Sequence, residues 1–495
     1  MARVVVVGAG MGGLAAAARL ARQRHEVTVC EQASAVGGKL GTYTRDGFTF
    51  DTGPSLLTLP AVYRDLFRKT GRPLEQVLDL VPVDPVTRYR FADGATLDLP
   101  NASRSGVRGA LDDALGGTAG RDWLAVLDRG AAMWDAVREP FLSSGDVGVR
   151  DLLRRAGRVH DLRVVAPWQT LRGLGRHLLH DPRLHHLLDR YATYTGSDPR
   201  RTPAVLATAP YVEHAFGAWY VPGGLGRLGD ALADRAHQRG VRLRTGAEVV
   251  RVSTSGGRVD GVVLADGETL PADVVVSDVD TASLYVELLP QPRQAARLRK
   301  ATPSLSGFVL LLALRGRTPG LRHHTVLFAE DYDAEFDAVF GQPASPVPDP
   351  TLYVGAPDDP ALRPDDGHEA WQVLVNAPRH GTDGAPGTVD WTAPGLAESY
   401  ADRVLAVMAG RGLDVRDRVR WRVIRTPADL ERETRSPGGA IYGSSSNGRR
   451  AAFLRPANRS PVPGLFLVGG SAHPGGGLPL VAMSAATVAG MVGRA

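Results

Sequence analysis

Val4-Val5-Val6-Val7-Gly8-Ala9-Gly10-Met11-Gly12-Gly13-Leu14 is the stretch that decides the fold. Four β-branched residues predict a buried strand, the glycines a tight turn, and the run Leu14 to Arg22 a helix. A second apolar strand, Val27-Thr28-Val29-Cys30, ends on Glu31. Gly8, Gly10 and Gly13 stand at Gly-x-Gly-x-x-Gly spacing, with Gly12 between them. In such a turn the first glycine permits the reversal and the second lets a pyrophosphate approach the backbone. The third lets helix and strand pack closely. The helix start offers free N–H groups and a positive dipole end to phosphate. Glu31 stands where a carboxylate accepts hydrogen bonds from a ribose 2′-OH. The stretch therefore predicts an α/β fold that binds an adenine dinucleotide with an unphosphorylated ribose. It does not by itself separate FAD from NAD.

The next residues bear on that choice. Gly37-Gly38-Lys39 follows shortly after the ribose-binding acid, and Phe50-Asp51-Thr52-Gly53-Pro54 follows that. A double glycine at this place predicts a second close backbone contact with the cofactor. Two-dinucleotide-domain flavoproteins show this pairing, and nicotinamide dehydrogenases generally do not.

At 495 residues the chain exceeds one ordinary core, so two or three structural units are expected. Its 43% hydrophobic and 22% charged content fits a globular enzyme. The formal net charge is +5, and all but three of the 58 basic residues are arginine; Lys39, Lys69 and Lys300 are the exceptions. Biased composition accounts for this; attraction to an anionic lipid surface is the functional alternative. The arginines are scattered among acids with no basic stripe interleaved with aromatics, so nucleic acid is not an expected partner. Cys30 is the single cysteine, which excludes an intramolecular disulfide and a cysteine metal cluster and fits a cytoplasmic setting. The first apolar run is cut at once by the glycine turn, unlike a signal peptide, and no run approaches the ~20 apolar residues of a membrane span. Phe308-Val309-Leu310-Leu311-Leu312-Ala313-Leu314 reads as a buried strand.

Along the chain, residues 84–99 read as a hairpin turning at Asp93-Gly94. From about 105 to 215 the pattern is helical, with Asp122 to Val137 and His177 to Tyr194 carrying apolar residues at helical spacing. Trp219-Tyr220-Val221-Pro222-Gly223-Gly224 introduces a helix from Arg227 to Arg239. Strands then return the chain to the dinucleotide unit. A mixed block runs from about 300 to 415. Near the end, Val468-Gly469-Gly470-Ser471-Ala472-His473-Pro474-Gly475-Gly476-Gly477 repeats the order strand, glycine turn, helix.

These segments, together with Arg150-Asp151-Leu152-Leu153-Arg154 and His323-His324-Thr325-Val326, resemble the bacterial phytoene desaturases, a family of FAD-dependent carotenoid desaturases. The resemblance covers essentially the whole chain, and the C-terminal His-Pro-Gly-Gly-Gly segment is its most specific part. It implies a Rossmann-like FAD-binding domain built from residues 1–104, 220–300 and 416–495. A mixed-sheet substrate domain over 301–415 and a helical, membrane-facing subdomain over 105–219 complete the implied architecture. FAD would be non-covalent, held by Gly8, Gly10, Gly12, Gly13, Glu31, Gly37, Gly38, Lys39, Pro54, Val249, Gly469, Gly470 and Gly477. Cys30 stands beside the expected ribose, far from the flavin ring, and cannot form a cysteinyl-flavin link.

The implied substrate is an acyclic carotenoid such as phytoene, delivered at a membrane surface to which the protein docks peripherally. Quinone or oxygen is the implied electron acceptor. Desaturation removes a hydride to the flavin and a proton to a base, through an allylic cation that the polyene stabilises. The family's Arg-Asp-x-x-Arg segment makes Asp151 the candidate proton acceptor, with Arg150 and Arg154 tuning it; a charged helix start is the alternative. Adjacent histidines point apart in regular structure, so His323-His324 reads as structural and no metal site is expected. Three departures leave the particular carotenoid open. They are Gly477-Leu478-Pro479-Leu480, Tyr353-Val354-Gly355-Ala356-Pro357 with Val375-Asn376-Ala377-Pro378, and Ser277-Asp278-Val279-Asp280 where the family usually has Ser-Asn-Ala-Asp. A hydroxycarotenoid 3,4-desaturase, a redox-neutral carotenoid isomerase, an amine-oxidase-like flavoenzyme and a flavin-stabilised carotenoid carrier stand as alternatives.

Overall fold

A computed structural model describes residues 1–142, 163–448, 451 and 455–495. Strand Arg3–Val7 runs into the glycine turn and helix Met11–Arg22, and strand Glu26–Cys30 returns beside it. Val4 to Val7 pair in parallel with Val27 to Cys30 on one side and with Val274 to Ser277 on the other. Arg242–Arg244 and Leu465–Leu467 complete a five-stranded parallel sheet at its two edges. Both faces of this sheet are covered, as parallel sheets require. One face packs against helices Met11–Arg22, Gly226–Gln238 and Leu478–Val492, where the alanines Ala15 to Ala18 allow close helix approach. The other face packs against the antiparallel sheet Val249–Ser255, Arg258–Leu264 and Thr269–Pro271.

A seven-stranded mixed sheet forms the second layer system. Its order is Val419–Arg425, Ser306–Arg315, His368–Ala377, Leu352–Gly355, His324–Leu327, Thr87–Arg90 and Thr96–Leu99. The apolar run around Phe308 to Leu314 lies one strand in from the edge, between Val419–Arg425 and His368–Ala377, and is buried throughout. The hairpin at residues 87–99 and the strand Val419–Arg425, which the sequence boundaries place with the nucleotide-binding segments, pair here instead. Helices Arg104–Leu115, Ala119–Leu142, Leu171–Leu178, Pro182–Thr193 and Thr208–Phe216 share a core with one edge of this sheet, through Trp123, Tyr191, Tyr89 and Phe328. The helical pattern from His177 to Tyr194 is broken by Asp181-Pro182. Asp181 caps the second helix by accepting from the Arg183 N–H at 2.8 Å, and Pro182 occupies its first turn. Among the described residues no helix is long and apolar enough to cross a membrane.

Candidate functional site: convergent glycine turns and an aromatic interior

Three glycine segments meet at the carboxyl end of the parallel sheet. Gly8 has φ +97°, a conformation open to glycine, and its N–H donates to the Cys30 carbonyl at 2.8 Å. At Gly13 a side chain would strike the Gly8 carbonyl, so helix and strand touch as the fingerprint requires. Gly37 forms a parallel bridge with Gly10, its N–H donating to the Ala9 carbonyl at 2.9 Å; a Cβ on Gly38 would lie 3.3 Å from the Gly10 Cα. The C-terminal turn arrives from the far end of the chain. A Cβ on Gly12 would lie 2.9 Å from the Gly469 nitrogen. The two ends of the polypeptide therefore make one cradle.

Glu31 locks this arrangement. One carboxylate oxygen accepts from the Ala9 N–H at 2.7 Å and the other from the Ala33 N–H at 2.9 Å. Each oxygen keeps further lone pairs for a ribose hydroxyl. Lys39 is half-buried, and its ammonium donates to the carbonyls of Ala440 (2.9 Å) and Ile441 (2.7 Å), with desolvation pulling its pKa down to about 8 against the charges of Asp280 and Asp278. It thus ties the Gly37-Gly38 loop to the strand of backbone leading to the C-terminal turn. Arg455 does the same from the other side, donating to the Gly470 carbonyl at 2.5 Å and the Ser444 carbonyl at 2.7 Å. Gly477 precedes helix Leu478–Val492, with φ +118° and open space where a side chain would stand. Val249 is buried on the flank of the sheet with Val5, Val7 and Cys30. Pro54 is exposed, whereas its neighbour Gly53 packs on the Lys39 carbonyl. Asp151, Arg150 and Arg154 lie outside the described residues.

The structure adds a residue that sequence reading noted only as a departure. Asp278, at the end of strand Val274–Ser277, sends its carboxyl into the middle of the cradle. A Cβ on Gly10 would meet its Oδ2 at 2.5 Å, one on Gly12 its Oδ1 at 2.6 Å, and one on Gly469 its Oδ1 as well. Gly10 and Gly12 are thus kept small by this carboxyl as well as by any phosphate. Burial pushes the Asp278 carboxyl up to about 7, opposed by the N–H groups of Gly13 and Gly10 and by Lys39, and reinforced by Glu31. The cradle fits a diphosphate: it offers backbone N–H groups, a helix N-terminus and no side chain on three turns. The fit asks that Asp278 be neutral beside it, because two anions in one dry site repel.

Two acids, Asp51 and Asp359, hold the scaffold. Asp51 accepts from the N–H groups of Leu225 (2.8 Å) and Gly226 (2.9 Å), capping helix Gly226–Gln238 from a distant segment. Asp359 accepts from the Gly223 N–H at 2.6 Å and the Tyr220 hydroxyl at 2.8 Å. Cys30 is buried, with its thiol pushed up to about 11 by burial.

A polar aromatic interior borders the cradle. Tyr442 fills the space a side chain on Gly476 would need, its ring 2.6 Å from that Cβ position. Just beyond Pro54, Ser55 bonds the Tyr353 hydroxyl at 2.6 Å and His324 Nε2 at 3.1 Å, while His324 Nδ1 meets the Val86 carbonyl at 3.2 Å. The carbonyl can only accept, so Nδ1 carries the proton and the relay runs Tyr353 to Ser55 to His324. Burial holds both His323 and His324 far below the ordinary histidine range, His323 at about 4. The rings do not point apart as expected from sequence, since their centroids are 4.4 Å apart. His323 precedes strand His324–Leu327 rather than belonging to it, which frees its orientation. Among the described residues no three histidines, cysteines or acids are grouped to hold a metal ion.

The model of the flavin-containing amine oxidoreductase family matches residues 11–332, more than half of the chain. The chain belongs to this family. Within it the kinship is with carotenoid enzymes. A hydroxyneurosporene desaturase from Cereibacter sphaeroides is 37% identical over 97% of this chain and 95% of its own length. A zeta-carotene-forming phytoene desaturase from Myxococcus xanthus is 35% identical over 98% and 93%. A 4,4'-diapolycopene oxygenase from Methylomonas sp is 34% identical over 97% and 96%. These relationships place the chain in the carotenoid desaturase family of flavin-containing oxidoreductases. Among solved structures, a putrescine oxidase superposes with a TM-score of 0.66 at 16% identity over 99% of both chains. A cyclohexylamine oxidase from Brevibacterium oxydans IH-35A gives 0.61 at 16% identity, again over 99% of both. At such identity the likeness is one of fold. This family member is an FAD-dependent oxidoreductase, and the glycine cradle is where its residues fit the cofactor.

Proposed function

We propose that this oxidoreductase desaturates a long acyclic carotenoid, with a Rossmann-type unit holding FAD non-covalently in the Gly10–Gly469 cradle. The observation that carries the reading is kinship over nearly the whole chain with enzymes whose names specify carotenoids. The interior supports it against an amine substrate. Its aromatic cluster already surrounds a cation, the Arg190 guanidinium, which lies 5.2 Å from the Tyr194 ring and 5.4 Å from the Tyr353 ring. A substrate ammonium would be repelled there.

When bound, FAD supplies a two-electron acceptor for a hydride equivalent. The chain's own residues do the rest. Gly10, Gly12 and Gly469 admit the diphosphate, and Glu31 orients the ribose. Tyr442 and the Tyr353–Ser55–His324 relay present uncharged aromatic groups that keep water from an electron-deficient polyene. Asp151, with Arg150 and Arg154, is the proposed proton acceptor. On this reading Asp151→Asn slows turnover while the yellow flavin spectrum persists, and an unchanged rate removes that role. Residues 1–104, 220–300 and 416–495 are proposed as the cofactor unit, less the 87–99 hairpin and strand Val419–Arg425 that pair in the mixed sheet, with 301–415 as the substrate unit and 105–219 as the helical unit. We place the protein in the cytoplasm, docked peripherally on a membrane that stores the insoluble substrate, with quinone or oxygen as the final acceptor. Exposed Trp168 and Phe216 in the helical region support the docking.

The test is expression in cells that accumulate a colourless acyclic precursor. New long-wavelength bands in the extracted pigment are expected. FAD-bound protein with no new bands contradicts the desaturase reading and favours an isomerase or a carrier.

A further inference from the structure

A cavity of about 330 Å³ opens between helix Pro292–Leu298 and the loop 456–461. Small-ligand sites begin at roughly this size, about 300 Å³. Both sides of it come from stretches without a carboxylate side chain. Residues 288–329 contain no Asp or Glu, and neither do residues 434–495, although the chain carries 53 acids. Arg297 on the helix and Arg459 in the loop line the space, and among the described residues no acid does. The lining is therefore of one sign, and it attracts an anion.

Two buried side chains, Tyr285 and Ser460, also line the cavity. The Tyr285 hydroxyl donates to Ser460 Oγ at 3.0 Å, and the Val462 N–H donates to the same oxygen at 3.2 Å. A hydroxyl has two lone pairs, so Ser460 Oγ has accepted all it can, and its own proton is left to donate. Among the described residues that proton has no acceptor. The Arg459 guanidinium is placed over the Phe466 ring, 5.3 Å from its centre. Arg297 lies within electrostatic reach of the Tyr285 hydroxyl, and Gln294 stands one turn before it on the same helix face. A hydroxyl, an amide and two guanidiniums thus line one space from two separate segments.

We propose that this cavity binds a phosphate monoester, the Arg297 and Arg459 guanidiniums and the Ser460 hydroxyl donating to its oxygens. Donors arriving from separate directions suit a tetrahedral dianion, whereas a planar carboxylate is satisfied by one arginine. Pro456 and Pro461 supply apolar wall for the organic part of the ester. The site is outside the FAD cradle but bonded to it. The His473 N–H donates to the Pro456 carbonyl at 2.8 Å, and the Asn458 amide donates to the His473 carbonyl at 2.8 Å. The loop beside the cavity therefore holds the C-terminal glycine turn. This site is independent of which substrate the flavin oxidises.

The test uses the FAD-loaded full chain, so that the diphosphate cradle is already filled. One arm is calorimetric titration with glycerol 3-phosphate at fixed ionic strength, with glycerol as the blank. The other is flotation with vesicles of phosphatidylcholine alone or with added phosphatidic acid. The expected result is saturable binding of glycerol 3-phosphate, one per chain. It weakens about tenfold or more in the double variant Arg297→Gln with Arg459→Gln, and also weakens in Ser460→Ala. Both arginines are exposed, so the double variant keeps the flavin spectrum of the wild type. Flotation that needs phosphatidic acid and is lost in the double variant, with no binding of the soluble ester, supports the site and makes a lipid headgroup its ligand. No binding in either arm by the wild type overturns the site, and so does binding that the double variant retains in full.

Discussion

Gly10 shows what one residue's size controls. Its φ of −71° and ψ of 177° suit any amino acid, so the objection to a side chain is steric alone. Gly10→Val would drive carbon into the Asp278 carboxyl and the diphosphate space, and the purified protein is expected to be colourless. A normal flavin spectrum would remove Gly10 from the cofactor site. Asp278 itself sets a pH dependence. Its folded pKa of about 7 lies above the unfolded carboxylate value near 3.8, so the folded chain holds a proton that the unfolded chain has lost. Apoprotein stability therefore falls as pH rises from about 4 to 7 and levels above that. A bound diphosphate favours the neutral carboxyl further, so FAD binding takes up a proton and the Kd rises by up to about tenfold per pH unit above 7. Lys39, at about 8, and Asp280, raised by burial, face the same space, which is why the comparison is with Asp278→Asn. That variant should flatten the slope in fluorescence titrations of FAD between pH 6 and 9. An identical slope in both proteins would place the titrating group elsewhere. The glycines were legible in sequence because their reason is local: a turn between one strand and its helix. The role of Asp278 was not, since its partners are in the first turn, far back along the chain. Arg190 was lost among a great many arginines, because burial beside the Tyr194 and Tyr353 rings is a property only of the folded state.

Secondary-structure elements were legible where a local signal closes them. The hairpin at Asp93-Gly94, the strand about Phe308 to Leu314 and the helix after Gly226 all form as the pattern predicts. The break at Asp181-Pro182 was missed because apolar spacing happens to continue across it, although the cap and proline were there to read. What caps helix Gly226–Gln238 was not legible at all. Its own N-terminal residue makes no side-chain cap, and Asp51 supplies the acceptor from the Phe50–Pro54 segment. Sequence reading gave Pro54 of that segment to the cofactor and assigned Asp51 no task; Asp51 secures the helix that lies against the first glycine helix. Asp51→Ala is expected to cost about 1 kcal/mol or somewhat more, read as a lowered Tm in the apoprotein. A variant with unchanged Tm would mean that water replaces both hydrogen bonds.

At the scale of the molecule, a chain folded end to end onto itself places the first and last glycine turns in contact, with a mixed sheet and a helical layer beside them. The parallel sheet was legible because four of its five strands are short apolar runs followed by a turn, the edge strand Arg242–Arg244 being the exception. The membership of the seven-stranded sheet was not, since strand pairing across long separations depends on tertiary packing that no local pattern encodes. Peripheral docking belongs to this scale too. Liposomes carrying an acyclic carotenoid should float a fraction of the protein, and Trp168→Ser with Phe216→Ser should reduce it; protein wholly at the bottom of the gradient argues against docking. The central claim is that one cradle built from both ends of the chain serves carotenoid desaturation. An anaerobic single turnover tests it most directly, mixing FAD-loaded protein with one equivalent of an acyclic polyene. The account predicts that the visible flavin band bleaches in step with a shift of the polyene absorbance to longer wavelength. A flavin band that persists while the polyene is unchanged, or a polyene that changes with no bleaching, would contradict it.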